Sequence, residues 1–209
     1  MTLERSAVLK ELKIEKNGIL IEEIPFVEKL NLRGNAKDKN FLTDVGSILE
    51  TLLPIDPNTK VENADFQVIW LSPNEWLINF IKNDKFSITH QKLINQLNPE
   101  KTSVTDTSEN KTIIRIVGNK SIELLRKFMI LDIDKILNDN SKVAQTIFVK
   151  VPILIIRNHS KNQKQSFDIH LNRSHANYLK QLLLDPLLQI NSNLLQKPQN
   201  PVEPRYLFY

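Results

Sequence analysis

The 209-residue chain contains no cysteine. Disulfides, thiolate metal sites, iron–sulfur ligation and a cysteine nucleophile are excluded together. Glycine is almost as scarce. Gly18, Gly34, Gly46 and Gly118 are too dispersed to build a phosphate-cradling loop, so neither a dinucleotide fingerprint nor a P-loop is present. No apolar run approaches the roughly 18 to 20 residues needed to span a bilayer. Met1 to Glu15 is charged and amphipathic and lacks the apolar segment of a secretion signal, so a cytoplasmic location without membrane contact is expected. Charge of one sign is scarce too, with 28 Lys+Arg against 24 Asp+Glu and a net charge of +4. Much of the lysine arrives with Asn and Ile, as in genomes biased toward A and T. The basic stretch Lys161-Asn162-Gln163-Lys164 has no interleaved aromatics, so no nucleic-acid partner is expected.

Catalytic chemistry finds no foothold in the residues that remain. His90, His159, His170 and His175 lack the paired spacing of zinc enzymes, and a solvent-facing or helix-packing place is expected for each. Ser72, Ser103 and Ser108 do not sit in the small-residue turn that exposes a hydrolase serine. Asp132 and Asp134 flank Ile133 at a helix end, where acidic residues belong to a solvated turn. No catalytic, cofactor-binding or metal-binding residue is expected in this chain.

What the chain does contain is a plan used twice. Leu30-Asn31-Leu32-Arg33 runs into Gly34-Asn35 and then an amphipathic segment; Ile114-Arg115-Ile116-Val117 runs into Gly118-Asn119 and another. The glycines suit a sharp exit from a strand, and the asparagines suit helix caps. Phe41, Leu42, Val45, Ile48, Leu49, Leu52 and Leu53 share a helical face that Pro54 closes, and Ile122, Leu125, Phe128 and Met129 do nearly the same later. Two strands then pair in each half: Val68 to Leu71 with Trp76 to Phe80 around Ser72-Pro73-Asn74-Glu75, and Ile153 to Ile156 with Phe167 to Leu171 around a long polar loop. Helices over Phe86 to Leu97 and Ser174 to Leu184 end the halves. The reading is one α+β domain of duplicated β-α-β-β-α halves sharing one sheet system and one core. Residues 1–20 form an N-terminal arm, 21–185 the domain with halves of about 21–100 and 101–185, and 186–209 a tail rich in proline and aromatics.

A resemblance enters at these same motifs. Leu30 to Asn35, the helix to Leu53, Pro57-Asn58-Thr59, Trp70-Leu71-Ser72-Pro73-Asn74-Glu75-Trp76-Leu77, Val104 to Ser108 and Phe167-Asp168-Ile169-His170-Leu171 resemble, in order, the gamma subunit of heterotetrameric sarcosine oxidase. Asp106 to Leu125 is more distantly similar to the folate-binding aminomethyltransferase family, whose members are built from duplicated α+β halves. The resemblance implies a folate-binding-domain-like fold. It also implies a non-catalytic subunit, acting in assembly and stability, of a complex that demethylates sarcosine to glycine and forms peroxide. The one-carbon unit goes to tetrahydrofolate or leaves as formaldehyde. FAD, FMN, NAD, zinc and tetrahydrofolate are then expected in the other subunits, with the alpha, beta and delta subunits as partners.

The alternative is a stand-alone folate-binding aminomethyltransferase-like protein. In that family a carboxylate lies shortly after the Gly-containing segment, and an ungapped count from Gly118 brings Asp132 near that position. The usual preceding Asn is Leu131 here, which removes a polar neighbour able to orient the acid. Arg33, Asn35, Trp70, Trp76, Tyr206, Phe208 and Tyr209 are the partner-interface candidates. Arg33 has Asp106, Glu75 or a partner chain as its possible counter-charge. Trp70 and Trp76 fall on one face of a hairpin, where core packing competes with an interface role. The prolines at 198, 201 and 204 keep the tail extended toward Tyr206-Leu207-Phe208-Tyr209, for docking on another subunit or folding back on the chain's own core.

Overall fold

The computed structural model of the chain describes residues 5–9, 12–158 and 165–189. The elements in chain order are β1 (Lys13–Lys16), β2 (Ile19–Glu23), β3 (Lys29–Arg33), α1 (Lys39–Leu49), β4 (Lys60–Glu62), β5 (Phe66–Ser72), β6 (Glu75–Phe80), α2 (Phe86–Gln96), β7 (Ser103–Asp106), β8 (Lys111–Val117), α3 (Ser121–Leu125), α4 (Ile133–Ile136), β9 (Val143–Phe148), β10 (Val151–Asn158), β11 (Ser166–Asn172) and α5 (Ala176–Gln189). His159, the 161–164 stretch and the tail candidates Tyr206, Phe208 and Tyr209 lie outside the described residues.

Local chemistry accounts for the junctions, with some changes from the sequence reading. Asp38, not Asn35, caps α1, its Oδ1 accepting from the amides of Asn40 at 3.0 Å and Phe41 at 3.4 Å. The helix ends at Glu50, whose φ of 52° is left-handed, so the helix stops short of Pro54 and Leu52 is left 79% exposed. Phe41, Val45 and Leu49 carry its buried face. Asn119 is likewise not a cap; Lys120 holds that position without a side-chain bond. Gly34 and Gly118 are both required, for different reasons. A Cβ on Gly34 would meet the Phe41 ring at 2.4 Å. At Gly118, where φ is 147°, it would meet the Gly18 carbonyl oxygen at 2.2 Å.

Two antiparallel sheets form in place of one. Their orders are β4-β5-β6-β3-β7 and β9-β10-β11-β8-β2-β1. Position by position these are the same sheet, with β1 added to the second. The doubled plan is therefore visible in the topology, and so is an exchange. Strand β2, which precedes β3, pairs with β8 of the second half; β7, which precedes β8, pairs with β3 of the first. Each half lends its leading strand to the other.

This exchange moves the boundaries drawn from sequence. Residue 20 falls inside β2, β1 spans Lys13–Lys16, and Leu9, Leu12 and Ile19 are buried in the second sheet's core, so the described residues from 12 to 20 join that sheet and its core and are not an arm. The cut at residue 100 separates β7 from the sheet it belongs to.

Side-chain alternation then sets four layers. Leu30, Leu32, Val68, Trp76, Ile78 and Phe80 face outward to α1 and α2. Ile114, Ile116, Ile153, Ile155, Phe167 and Ile169 face outward to α3, α4 and α5. Between the sheets lies a smaller apolar cluster of Ile69, Leu77, Val143, Leu154 and Ile156. Val143 donates to the Asn58 carbonyl at 2.9 Å and Gln145 Nε2 to the Leu71 carbonyl at 2.8 Å, tying one sheet to the other.

Candidate functional site

The inter-sheet layer also holds the most unusual polar residues of the chain. On β11 the odd-numbered Phe167, Ile169 and Leu171 enter the helix-side core, so Asp168 and His170 point at the other sheet. Arg115 on β8 lies directly across from Asp168. Its guanidinium grips the carboxylate through Nε at 2.7 Å and a terminal nitrogen at 2.8 Å. Burial alone raises the carboxyl's pKa, but the Arg115 fork outweighs it and holds Asp168 below its usual value.

His170 is 1% exposed, which corrects the expected solvent-facing or helix-packing place. It sits between Leu154 and Ile113 in the sheet, and its Nδ1 has no hydrogen-bond partner. Burial pushes its pKa down to about 3; Asp168 opposes this, while Lys29, Lys111 and Arg115 reinforce it. The imidazole is therefore neutral.

From the opposite sheet, Lys29 is 2% exposed, with Nζ donating to the Val27 carbonyl at 2.6 Å and lying 5.8 Å from the centre of the Phe26 ring. Burial first, then Arg173 and Lys111, bring its pKa down to about 8 against the pull of Glu109 and Asp106. Beside it on β6, Asn79 donates to Gln67 at 2.9 Å and leaves its own Oδ1 unpartnered. Where β4 meets the end of β10, Lys60, Glu62, Asn140, Ser141 and Asn158 line a cleft of about 430 Å³.

The serine and carboxylate singled out in the sequence make bonds within the chain. Ser108 is fully buried; its Oγ accepts from the Lys29 amide at 2.9 Å and donates to Asp106 at 2.6 Å. Asp132 is exposed and caps α4, accepting from the Lys135 amide at 3.3 Å. Among the described residues no group of three His, Asp or Glu side chains is placed to hold a metal ion.

The interface candidates separate into two kinds. Arg33 is 60% exposed and takes Glu75 as counter-ion at 3.2 Å, while Asp106 pairs with Arg5 at 2.9 Å. Asn35 accepts from the Lys37 amide and shares with Arg33, Asn74, Lys101 and Ser103 a surface hollow of about 370 Å³. Trp70 and Trp76 are cross-strand partners on one sheet face. Trp76 is completely buried, 5.7 Å from Phe41, with its indole N–H on the Pro54 carbonyl at 2.7 Å. It is a core residue, and Trp70 is half-buried against the same cluster.

Sequence reading passed over Lys29, Asp168 and the coupling of Arg115 to it. The available signal was polar residues at alternate positions of strands that read apolar on the other face, as in Lys29-Leu30-Asn31-Leu32 and Phe167-Asp168-Ile169-His170.

The sequence profile of the family described as "Sarcosine oxidase, gamma subunit family" matches residues 33–187. The chain belongs to that family. Membership makes it a gamma-type subunit of a sarcosine oxidase complex, with other subunits of that complex as partners. A chain of the heterotetrameric sarcosine oxidase from Corynebacterium sp. U-96, in complex with pyrrole 2-carboxylate, is 21% identical to this gamma subunit. The two superpose with a TM-score of 0.73 over 87% of this chain and 89% of that one. The glycine cleavage system aminomethyltransferase T from Bartonella henselae is 14% identical, with a TM-score of 0.57 over 82% of this chain and 47% of that one. At these identities both likenesses establish the fold, an α+β arrangement shared with the aminomethyltransferases. No curated protein sequence matches the gamma subunit.

Proposed function

We propose that this gamma subunit is a non-catalytic component of its oxidase, in contact with alpha, beta and delta subunits, and that it serves assembly and stability. The complex oxidises the N-methyl group of sarcosine and yields glycine. Two electrons reduce dioxygen to peroxide, and the one-carbon unit passes to tetrahydrofolate or leaves as formaldehyde. FAD, FMN, NAD, zinc and tetrahydrofolate belong to the other subunits in this reading. The proposed location is the cytoplasm; no helix among the described residues is long and apolar enough to cross a membrane.

The observation that carries the reading is that Asp168, Ser108, Asp132 and His170 each have a structural place. Asp168 is clamped by Arg115, Ser108 is held between Lys29 and Asp106, and Asp132 closes a helix end. His170 is sealed between the sheets. A general acid or base needs hydrogen-bond reach to its substrate; buried Asp168, Ser108 and His170 offer none without opening the fold, and exposed Asp132 has its carboxylate on the Lys135 amide. The test is to supply the purified chain alone with sarcosine, tetrahydrofolate and oxygen and to follow peroxide and glycine. No turnover is expected; turnover above a buffer blank overturns the non-catalytic assignment.

A further inference from the structure

One surface of the second half exposes three large apolar side chains close together. Ile130 is fully exposed after α3, Ile147 is 58% exposed on β9, and Val149 is 43% exposed in the β9–β10 turn. The three meet around a hollow of about 600 Å³, floored by Phe128, which stacks on Phe148 at 4.9 Å. Ile147 also belongs to the neighbouring cleft of about 350 Å³ that opens between the sheets against Leu71, Leu77, Pro152 and Leu154. The apolar surface is therefore continuous from α3 into the inter-sheet opening, and it lies on β9, the outermost strand of its sheet. Exposed apolar edges of this kind promote association.

Val149 strengthens the case. Phe148 and Val151 pair, so Val149 and Lys150 form a two-residue hairpin, and Val149 has φ 58°. That position favours Gly, Asn or Asp, because a β-branched side chain is strained there. The Val149 amide is used, donating to the Phe128 carbonyl at 2.8 Å. An Asn amide would serve that bond equally well, so the hydrogen bond does not account for the isopropyl group. The rim is basic, with Lys127 and Lys150 exposed and Arg126 exposed beside its counter-ion Asp134 at 3.2 Å.

We propose that this face docks another subunit of the oxidase complex, one that presents apolar side chains ringed by Asp and Glu. The proposal rests on membership of the gamma-subunit family, which supplies the partner, and on the basic rim, which sets its charge.

The experiment is co-expression of the tagged chain with the remaining oxidase subunits, followed by quantitative co-purification at low and high salt. Burial of two isoleucines predicts that the double variant Ile130→Glu, Ile147→Glu binds its partners about a hundred-fold more weakly. Its circular dichroism should match the native chain, since both side chains are exposed. Ile88→Glu, 59% exposed on α2, should bind normally. Val149→Asn should melt at a higher temperature as an isolated chain and yet hold its partners less tightly, a combination that a purely structural role does not give. Full retention of partners by the double variant overturns the docking face, as does equal loss in Ile88→Glu. A double variant that turns a dimer of the isolated chain into a monomer while the complex persists also overturns it, in favour of a second copy as the occupant. If the native chain itself captures none of the oxidase subunits, the subunit reading fails first and the docking face with it.

Discussion

Acidification from pH 8 to pH 5, compared between the native chain and His170→Gln, isolates the contribution of His170. In the unfolded chain the imidazole titrates near 6.5, whereas burial between the sheets brings the folded value to about 3. Below pH 6.5 the unfolded state therefore binds the proton that the folded state refuses. Stability from this group is complete above about pH 6.5 and is lost as pH falls toward 3. The slope in that window is roughly 1.4 kcal/mol per pH unit, so the loss between pH 8 and pH 5 is about 2 kcal/mol. Asp168 and Asp106, whose carboxyls are held low, also destabilise the fold as they protonate, so total pH dependence alone is not diagnostic. The measurement is urea unfolding of the native chain and His170→Gln at both pH values, comparing each protein with itself. The variant is expected to lose about 2 kcal/mol less than the native chain on acidification, whatever its absolute stability. Equal losses in the two proteins would refute the claim that His170 is buried neutral between the sheets.

Two further substitutions test the packing and the ion pair. Gly118→Ala forces a Cβ into the Gly18 carbonyl at a φ of 147° and should destabilise the chain by roughly 3 kcal/mol, read as a lower urea midpoint. Arg115→Leu leaves Asp168 buried without its counter-ion and should cost about 2 kcal/mol, less than a fully buried pair because the guanidinium is partly solvated. Adding Asp168→Leu should restore much of that loss in a double-mutant cycle.

The repeat was legible because its signals are local. A strand ending in Gly-Asn, a helix with Phe41, Val45 and Leu49 on one face, and hairpins pairing Val68 to Leu71 with Trp76 to Phe80 are all written within a few residues. The exchange of β2 and β7 was not legible, because a pairing partner that lies far along the chain leaves no mark in local periodicity. Ile19 and Ile21 alternate as they do in any half-buried strand, and only the core they enter distinguishes a sheet strand from an arm. The inter-sheet layer escaped for a related reason. Asp168 and His170 occupy positions that read as the solvent face of a strand, and it took the second sheet to bury them. Cap assignments went astray by three residues at Asn35, where Asp38 has the geometry to reach both Asn40 and Phe41.

The surface candidates divide by the same logic. Trp76 looked like an anchor by residue type, but its indole hydrogen bond to Pro54 and contact with Phe41 use both ends of the side chain inside the core. Arg33 and Asn35 remain at the surface, beside β7 of the first sheet, whereas the Ile130–Val149 face lies by β9 of the second.

Assembly with the partner subunits is the claim on which the functional account stands, and it has a direct measurement. The remaining oxidase subunits are co-expressed with and without this chain, and the amount of full-sized complex is determined by size-exclusion chromatography with light scattering. Assembled complex should fall sharply when the chain is omitted and return when it is supplied. Undiminished assembly of the other subunits in its absence would contradict the account.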